Sequence, residues 1–278
     1  MIKLGCMSLS YKNAMAEGRL DLFEFIDKAY ELRLDGIDIH SGALESENDT
    51  YLQKVRRHCL KRGLAISYLG ISNDFGKCDE EIPEEIDMVK HWIDVAAKLH
   101  IPMVRIFAAW ERDDTPKDIT WSRMIDSISK VVEHADNQGI AVGLHNHNHG
   151  CVTRTGDDVL QILKQINKTN FTHILDTGQY AGSPGASGAK GKPDPAYDFY
   201  GSIETTAPYA AHVRAKIYRI ESGIEAWLDY PRILEILKKA GFNGWMSIVF
   251  EGQDVEREEI AIPKAVNYLR DLLNRTQL

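Results

Sequence analysis

Short apolar runs alternate along this chain with longer segments in which apolar residues recur every three or four positions. Those are the periods of strands and of amphipathic helices. The runs predict strands over 2–8, 36–40, 64–69, 103–108, 141–145, 172–176, 210–217 and 245–250. Between them, Leu22, Phe25, Ile26, Ala29 and Leu32 stripe one helix face, and a second helix over 51–63 ends on Gly63. Ile86, Val89, Ile93, Ala96 and Ala97 mark the next. Trp121, Met124, Ile125, Ile128, Val131, Val132 and Ala135 mark another, which stops before Gly139. Helices over 157–166, 230–240 and 262–273 complete the pattern.

Eight strand candidates result, each followed by a helix except the sixth, which leads into a loop and a weaker helix. No linker or change of composition divides the chain, and no G-x-G-x-x-G opens a helix as a two-sided dinucleotide-binding sheet would require. The expected architecture is a single α/β domain over residues 1–278, a (β/α)8 barrel. Its functional end is the C-terminal mouth of the strands. The one irregular stretch, 182–195, is rich in Gly, Ser, Pro and Lys. It is expected to be a mobile lid, with Lys190 and Lys192 meeting a substrate anion, or else a solvated surface loop.

Composition narrows the function. Of 278 residues, 44% are hydrophobic and 27% charged, which is ordinary globular usage and excludes a disordered chain. The net charge of -8 opposes nucleic-acid binding, which needs a basic face. No apolar run approaches the roughly 20 residues of a membrane span, and the first residues lack the apolar core of a signal peptide. Cys6, Cys59, Cys78 and Cys151 are widely spaced, unlike a zinc knuckle or a disulfide framework. These features predict a cytoplasmic protein with no nucleic-acid or membrane partner.

Polar residues collect where the barrel mouth would lie. Asp38 and His40 end strand two, Arg105 lies on strand four, and 145–149 reads His-Asn-His-Asn-His. Strand six ends in Asp176, followed by Gln179. Strand seven carries His212, Arg214 and Lys216 on one face, and strand eight runs into Glu251. Charged groups on inner barrel faces are costly unless paired, ligated or open to a pocket. Plainer roles compete: His40 and His173 as structural histidines, Arg105 paired with Asp38 or Asp176, Lys216 reaching out of the mouth. His145 and His147 are near enough to share an ion, whereas His145 and His149 stand ~13 Å apart at ~3.3 Å per residue. Trp121 reads as core. Trp110 and Trp227, beside Glu111 and Asp229, read as walls for a sugar ring.

Gly36-Ile37-Asp38, Gly139 to His147, Leu175 to Gly178, His212 to Lys216, Trp227 to Tyr230 and Gly241 to Ile248, in this order and spacing, make the chain similar to the xylose isomerase-like barrel superfamily. Within it, the chain resembles the sugar phosphate isomerase/epimerase group. The resemblance implies a divalent cation (Mn, Zn, Mg or Co) held by Glu, Asp, His and Glu on strands five to eight. It also implies proton transfer beside a sugar carbonyl. Only Asp176 keeps its place. The strand-five glutamate is His145, as in a branch that reads His-Asn-His. The strand-seven histidine falls on Arg214 and the strand-eight glutamate on Val249.

Two arrangements remain open. A shifted metal site of His145, Asp176, His212 and Glu251 requires register slips on strands seven and eight. Otherwise Arg214 stands in for the ion and, with Arg105 and Lys216, stabilises an anion while Asp176, His145 or His147 acts as base. The resemblance implies an isomerase or epimerase of a sugar, sugar phosphate, polyol or keto acid. The expected catalytic residues are His145, His147, Asp176, Arg214 and Lys216. Asp38, His40, Arg105, Trp110, Gln179, Trp227 and Glu251 are expected to bind substrate. A related lyase or dehydratase, or a non-catalytic carbohydrate-binding subunit, is the alternative. The expected partner is a small-molecule carbohydrate, with homo-oligomers common among proteins of this kind.

Overall fold

The computed structural model describes residues 1–148, 150–186 and 188–278; His149, last of the histidine run, and Ser187 lie outside the described residues. Eight parallel strands close in sequence order: β1 (Lys3–Met7), β2 (Gly36–His40), β3 (Ala65–Gly70), β4 (Met103–Ile106), β5 (Ala141–His145), β6 (Phe171–Asp176), β7 (Ala210–Ile217) and β8 (Trp245–Phe250), with β8 pairing back onto β1. Helices follow them around the outside, as a right-handed β-helix-β connection requires. The predicted single (β/α)8 barrel is therefore the fold.

Local signals set most helix ends. Asp21 caps Leu22–Glu31 in a reciprocal capping box with Glu24, and Thr155 does the same with Asp158 for Gly156–Ile166. Gly63, in the left-handed conformation, closes Asp49–Arg62. The last helix differs from expectation. The apolar pattern predicts 262–273, yet the helix runs Glu258–Thr276 with Pro263 inside it. The extra turn is tied down from the opposite side of the chain. The buried Glu258 accepts the Asn13 backbone N–H at 2.9 Å, and Glu259 pairs with Arg19.

Inside the barrel, glycines make room for large neighbours. Gly36 on β2 lies where any side chain would meet the Ala65 carbonyl at 2.5 Å and the Trp245 ring at 2.9 Å. A register shift between Ile37 and Ile39 in the β2–β3 ladder breaks strict alternation on β3. The adjacent Ser67 and Tyr68 both reach barrel-interior partners, Asp38 and Arg214. Met7, Tyr68, Met103, Ile174 and Val249 form the apolar filling. By contrast, β7 and β8 pair without any shift from His212 opposite Trp245 to Ile217 opposite Phe250.

Between β6 and the helix Phe199–Thr206, the described part of 182–195 is folded into successive turns, such as Ala186 N–H to Ser183 O at 2.9 Å and Gly191 N–H to Pro184 O at 2.9 Å. It packs through Gly185 on the Tyr218 ring and through Gly191 on Trp227. Lys190 and Lys192 are exposed on this segment. No helix is long and apolar enough to cross a membrane among the described residues.

Gly36→Ala should lower unfolding free energy by about 1–3 kcal/mol, because its Cβ would collide with a strand backbone that cannot retreat. Urea denaturation measures this directly, and an unchanged midpoint would show that the barrel yields at this position.

Candidate active site

The centre of the mouth is Asp176, the last residue of β6 and fully buried. Its backbone is gripped by Asn146, whose side-chain oxygen accepts the Asp176 N–H at 2.7 Å and whose amide donates to the Asp176 carbonyl at 3.0 Å. One carboxylate oxygen, Oδ1, accepts the Gly178 N–H at 3.0 Å. The other, Oδ2, receives Arg214 Nε at 3.0 Å and His145 Nε2 at 3.1 Å, with Lys216 Nζ at 3.6 Å. Asp176 and Arg214 are direct partners in the β6–β7 ladder, so the ion pair is built into the barrel register.

Each neighbour is held in turn. Arg214 Nη1 donates to the Tyr68 hydroxyl, which itself donates to Met7 Sδ at 3.4 Å. Burial works to lower the Arg214 pKa, but Tyr68 and Asp176 beside it outweigh this and raise it, so the guanidinium is a permanent charge. Lys216 Nζ donates to Glu251, and although burial would raise that carboxyl's pKa, the lysine holds it below the ordinary range. Thr177 and Tyr230 fix the Lys216 backbone at N–H and carbonyl, at 3.0 and 2.6 Å.

His145 is the group with chemistry to spare. Its Nε2 faces a carboxylate oxygen that can only accept, so the proton sits on Nε2 and the Nδ1 lone pair is bare. Nδ1 is buried and has no hydrogen-bond partner. Burial, and then the positive charges of Arg214 and Arg105, hold the ring's pKa well below 6.5, so it is neutral. Phe107 lies beside it with centroids 5.0 Å apart, His147 stands 5.9 Å away edge-on, and Trp110 closes the group at 5.9 Å from His147. Over the Phe107 ring, the Arg105 guanidinium carbon sits 4.1 Å from the centroid. His40 accepts the Gly42 N–H on Nδ1 and meets Ser72 at 3.3 Å. Burial and the Arg105 charge bring its pKa down to about 4. Gln179, also buried, accepts from Asn148 at 2.8 Å.

The structure thus brings His145, His147, Asp176, Arg214, Lys216, Glu251, Arg105 and Trp110 to one end of the barrel, and it separates others. Asp38 and His212, both fully buried, pair with each other at 3.3 Å. They share Ser67, and His212 also meets Ser247 at 3.2 Å, a cluster distinct from the one around Asp176. Asp38 is therefore a partner of the barrel interior and not the mouth residue expected. Arg105 pairs with neither Asp38 nor Asp176, contrary to the plainer reading. Trp227 lies against Tyr218 at 5.4 Å and under the Arg219 guanidinium at 4.4 Å, with Gly191 packed on it, so the loop covers its indole in this structure. His173 is structural, bridging Leu144 O and the Tyr180 hydroxyl at 2.8 and 3.1 Å.

The proposed ligand set His145, Asp176, His212 and Glu251 does not converge. Without a slip between β7 and β8, His212 stays with Asp38, Arg214 takes the place beside Asp176, and Glu251 is occupied by Lys216. Among the described residues no group of three or more His, Cys, Asp or Glu is placed to hold an ion. Two fixed cations against Asp176 would also repel a divalent one. These residues do not fit a metal. Sequence reasoning missed Asn146, Tyr68 and Ser67. The His-Asn-His spacing pointed at the histidines, and only the interstrand geometry shows that the intervening asparagine clamps Asp176.

A family model described as xylose isomerase-like TIM barrel matches residues 26–272. Solved structures share the fold at low identity. D-psicose 3-epimerase from Clostridium cellulolyticum H10 superposes with a TM-score of 0.75 at 16% identity, covering 99% of this chain and 98% of that one. The 3-keto-D-glucoside 4-epimerase of E. coli gives 0.74 at 14%, covering 99% and 100%. D-allulose 3-epimerase from Methylomonas sp. gives 0.73 at 16%, covering 97% and 96%. No protein of curated function matches the chain by sequence.

Adding Mn2+, Zn2+, Mg2+ or Co2+ at ~1 mM to chelator-treated protein should leave the melting temperature unchanged, since no site gains from the ion. A rise of several degrees that disappears in Asp176→Ala would mean that the cluster rearranges to bind metal.

Proposed function

Because this chain belongs to the xylose isomerase-like TIM barrel family, we propose that its mouth isomerises or epimerises a sugar or sugar-derived substrate by moving a proton on the carbon beside a carbonyl. The observation that carries this reading is the bare, buried Nδ1 of His145 on a ring whose other nitrogen is held by Asp176. A neutral imidazole with a fixed tautomer is a general base whose lone pair has one direction to act. The epimerase activities of proteins with this fold support the same class of reaction.

In this mechanism His145 Nδ1 takes the proton, and the imidazolium that forms is stabilised by the Asp176 carboxylate. The carbonyl oxygen becomes an enediolate oxygen, and Arg214 and Lys216 supply preorganised positive charge in a site that excludes water. Returning the proton to the neighbouring carbon isomerises the substrate. Delivery of a different proton from His147 to the opposite face of the same carbon epimerises it, after which His145 gives its proton to solvent and His147 takes one up. Asn146, Tyr68 and Thr177 act by positioning Asp176, Arg214 and Lys216. The chain's own charges do this work, because the residues expected to ligate a cation are otherwise engaged.

A second reading, binding of the same ligands without turnover, draws on the fact that Asp176 and Glu251 are both neutralised by basic partners, which leaves the mouth no free carboxylate base. Incubation with a panel of ketoses and keto acids in deuterated water separates the two. The proposed chemistry installs deuterium beside the carbonyl of a substrate, read by mass spectrometry. His145→Ala and Asp176→Asn should each slow it by about 10²–10⁴-fold. Because the histidine pKa lies well below 6.5, the rate should hold level as pH falls from 8 through 6.5 and decline only at lower pH. Binding without exchange in the wild type would establish the second reading instead.

The 182–195 segment is proposed as the lid of this site, seated by Gly191 on Trp227. Gly191 has φ +84, and a side chain there would meet the indole at 2.6 Å. Gly191→Val should raise KM at least several-fold with a change in melting temperature of only a few degrees. A melting loss with unchanged KM would make the segment structural.

A further inference from the structure

The described part of the barrel interior contains three buried basic side chains, Arg105, Arg214 and Lys216, and they are not equally paired. Arg214 has Asp176 at 3.0 Å and Lys216 has Glu251. Arg105, only 2% exposed, makes no ion pair, and its Nε and Nη1 have no hydrogen-bond partner. A buried cation without a counter-ion costs several kcal/mol, and two unmet donors add to that. What offsets this in the free protein is modest, a stacking contact with the Phe107 ring at 4.1 Å.

The surroundings of Arg105 are arranged around the guanidinium without satisfying it. Gly70 on β3 leaves room for it, since a side chain there would meet Arg105 Nη2 at 3.3 Å. His40 stands close enough for the Arg105 charge to lower its pKa, and it is turned toward Ser72 and the Gly42 N–H, away from service as a partner. His145 also lies against Phe107, with ring centroids 5.0 Å apart, and its buried Nδ1 has no partner among the described residues. One unpaired donor group and one unpaired acceptor therefore lie against the same aromatic ring.

We infer that Arg105 is the counter-ion for a carboxylate carried by the substrate, so that the ligand of this barrel is a sugar acid or keto acid and not a neutral sugar. The charge count selects the class. A single unpaired buried cation matches a monoanion, whereas a phosphate dianion would leave a second negative charge facing Asp176 and Glu251. Phe107 and the half-buried Trp110 supply the apolar wall beside it. The inference rests on the proton-transfer reading above, because it places the acid group against the same aromatic ring as the base.

The test is binding, measured by calorimetry, of D-glucuronate, D-gluconate and pyruvate against D-glucose and inorganic phosphate. Wild-type protein should bind at least one carboxylate and discriminate against the neutral sugar and phosphate. Arg105→Met should weaken that carboxylate by roughly 30-fold or more, since removing one partner of a buried charge pair has effects of that order. Without ligand, Arg105→Met should melt no lower than wild type, because an unpaired charge is exchanged for a side chain of similar length. Arg105→Gln, which removes the charge and keeps a polar end, provides the same comparison if the methionine variant does not fold. Equal binding of glucose, binding of phosphate in place of carboxylates, no carboxylate binding, or undiminished binding by the variant would each overturn the inference. Deuterium exchange into a neutral ketose with no competition from any of the acids would sink it while leaving the proton-transfer reading intact. Arg105-dependent acid binding with no exchange would do the reverse.

Discussion

The buried Asp176 carboxylate is the constraint on which the mouth of this barrel depends. A carboxylate at full burial is tolerable only when its lone pairs are filled, and here Gly178, His145, Arg214 and Lys216 converge on it. Each of those interactions determines something else. The Arg214 contact uses the space and charge that a metal would need. The His145 contact chooses its tautomer. The Gly178 contact fixes how the chain leaves β6. Asn146 holds the backbone of Asp176 from β5, so the carboxylate's position is set by two strands at once.

Charge pairing then distributes function around that centre. Arg214 and Lys216 are each matched by a carboxylate, and Asp38 and His212 satisfy each other with Ser67 and Ser247. What is left unsatisfied is small and specific. Among the described residues it is two donor nitrogens of Arg105 and one acceptor of His145 at the mouth, one atom each of Asp38 and His212, and one Glu256 oxygen. Buried polar atoms are paired almost everywhere in folded proteins, and the unpaired ones at the mouth are the observation on which the proposed ligand contacts rest.

Much of this was legible in the sequence. The eight strands, the order of helices and the mouth positions of His145, Asp176, Arg214, Lys216 and Glu251 followed from period-two and period-3.6 patterns, because a side chain's face on a strand is a matter of parity. The departures from a metal-binding ligand set were equally visible, since Arg214 and Val249 stand where histidine and glutamate were implied. Parity failed on β3, where a register shift allows both Ser67 and Tyr68 to reach the interior. The apolar pattern missed the first turn of the last helix, which is secured by Asn13 and Arg19 far away in the chain. The loop covers Trp227 in this structure, and proximity to a strand end says nothing about which neighbour reaches the indole first.

The sequence by itself therefore determined the barrel and the residue types at its mouth, since hydrophobic periodicity is a local property that every strand and helix carries within its own length. The tertiary structure alone decided who pairs with whom. Whether Arg105 has a counter-ion, whether His212 joins Asp176 or Asp38, and which nitrogen of His145 is bare depend on interstrand register. They depend also on distances of about 3 Å between residues tens of positions apart, and electrostatic and hydrogen-bonding energies change steeply over those distances.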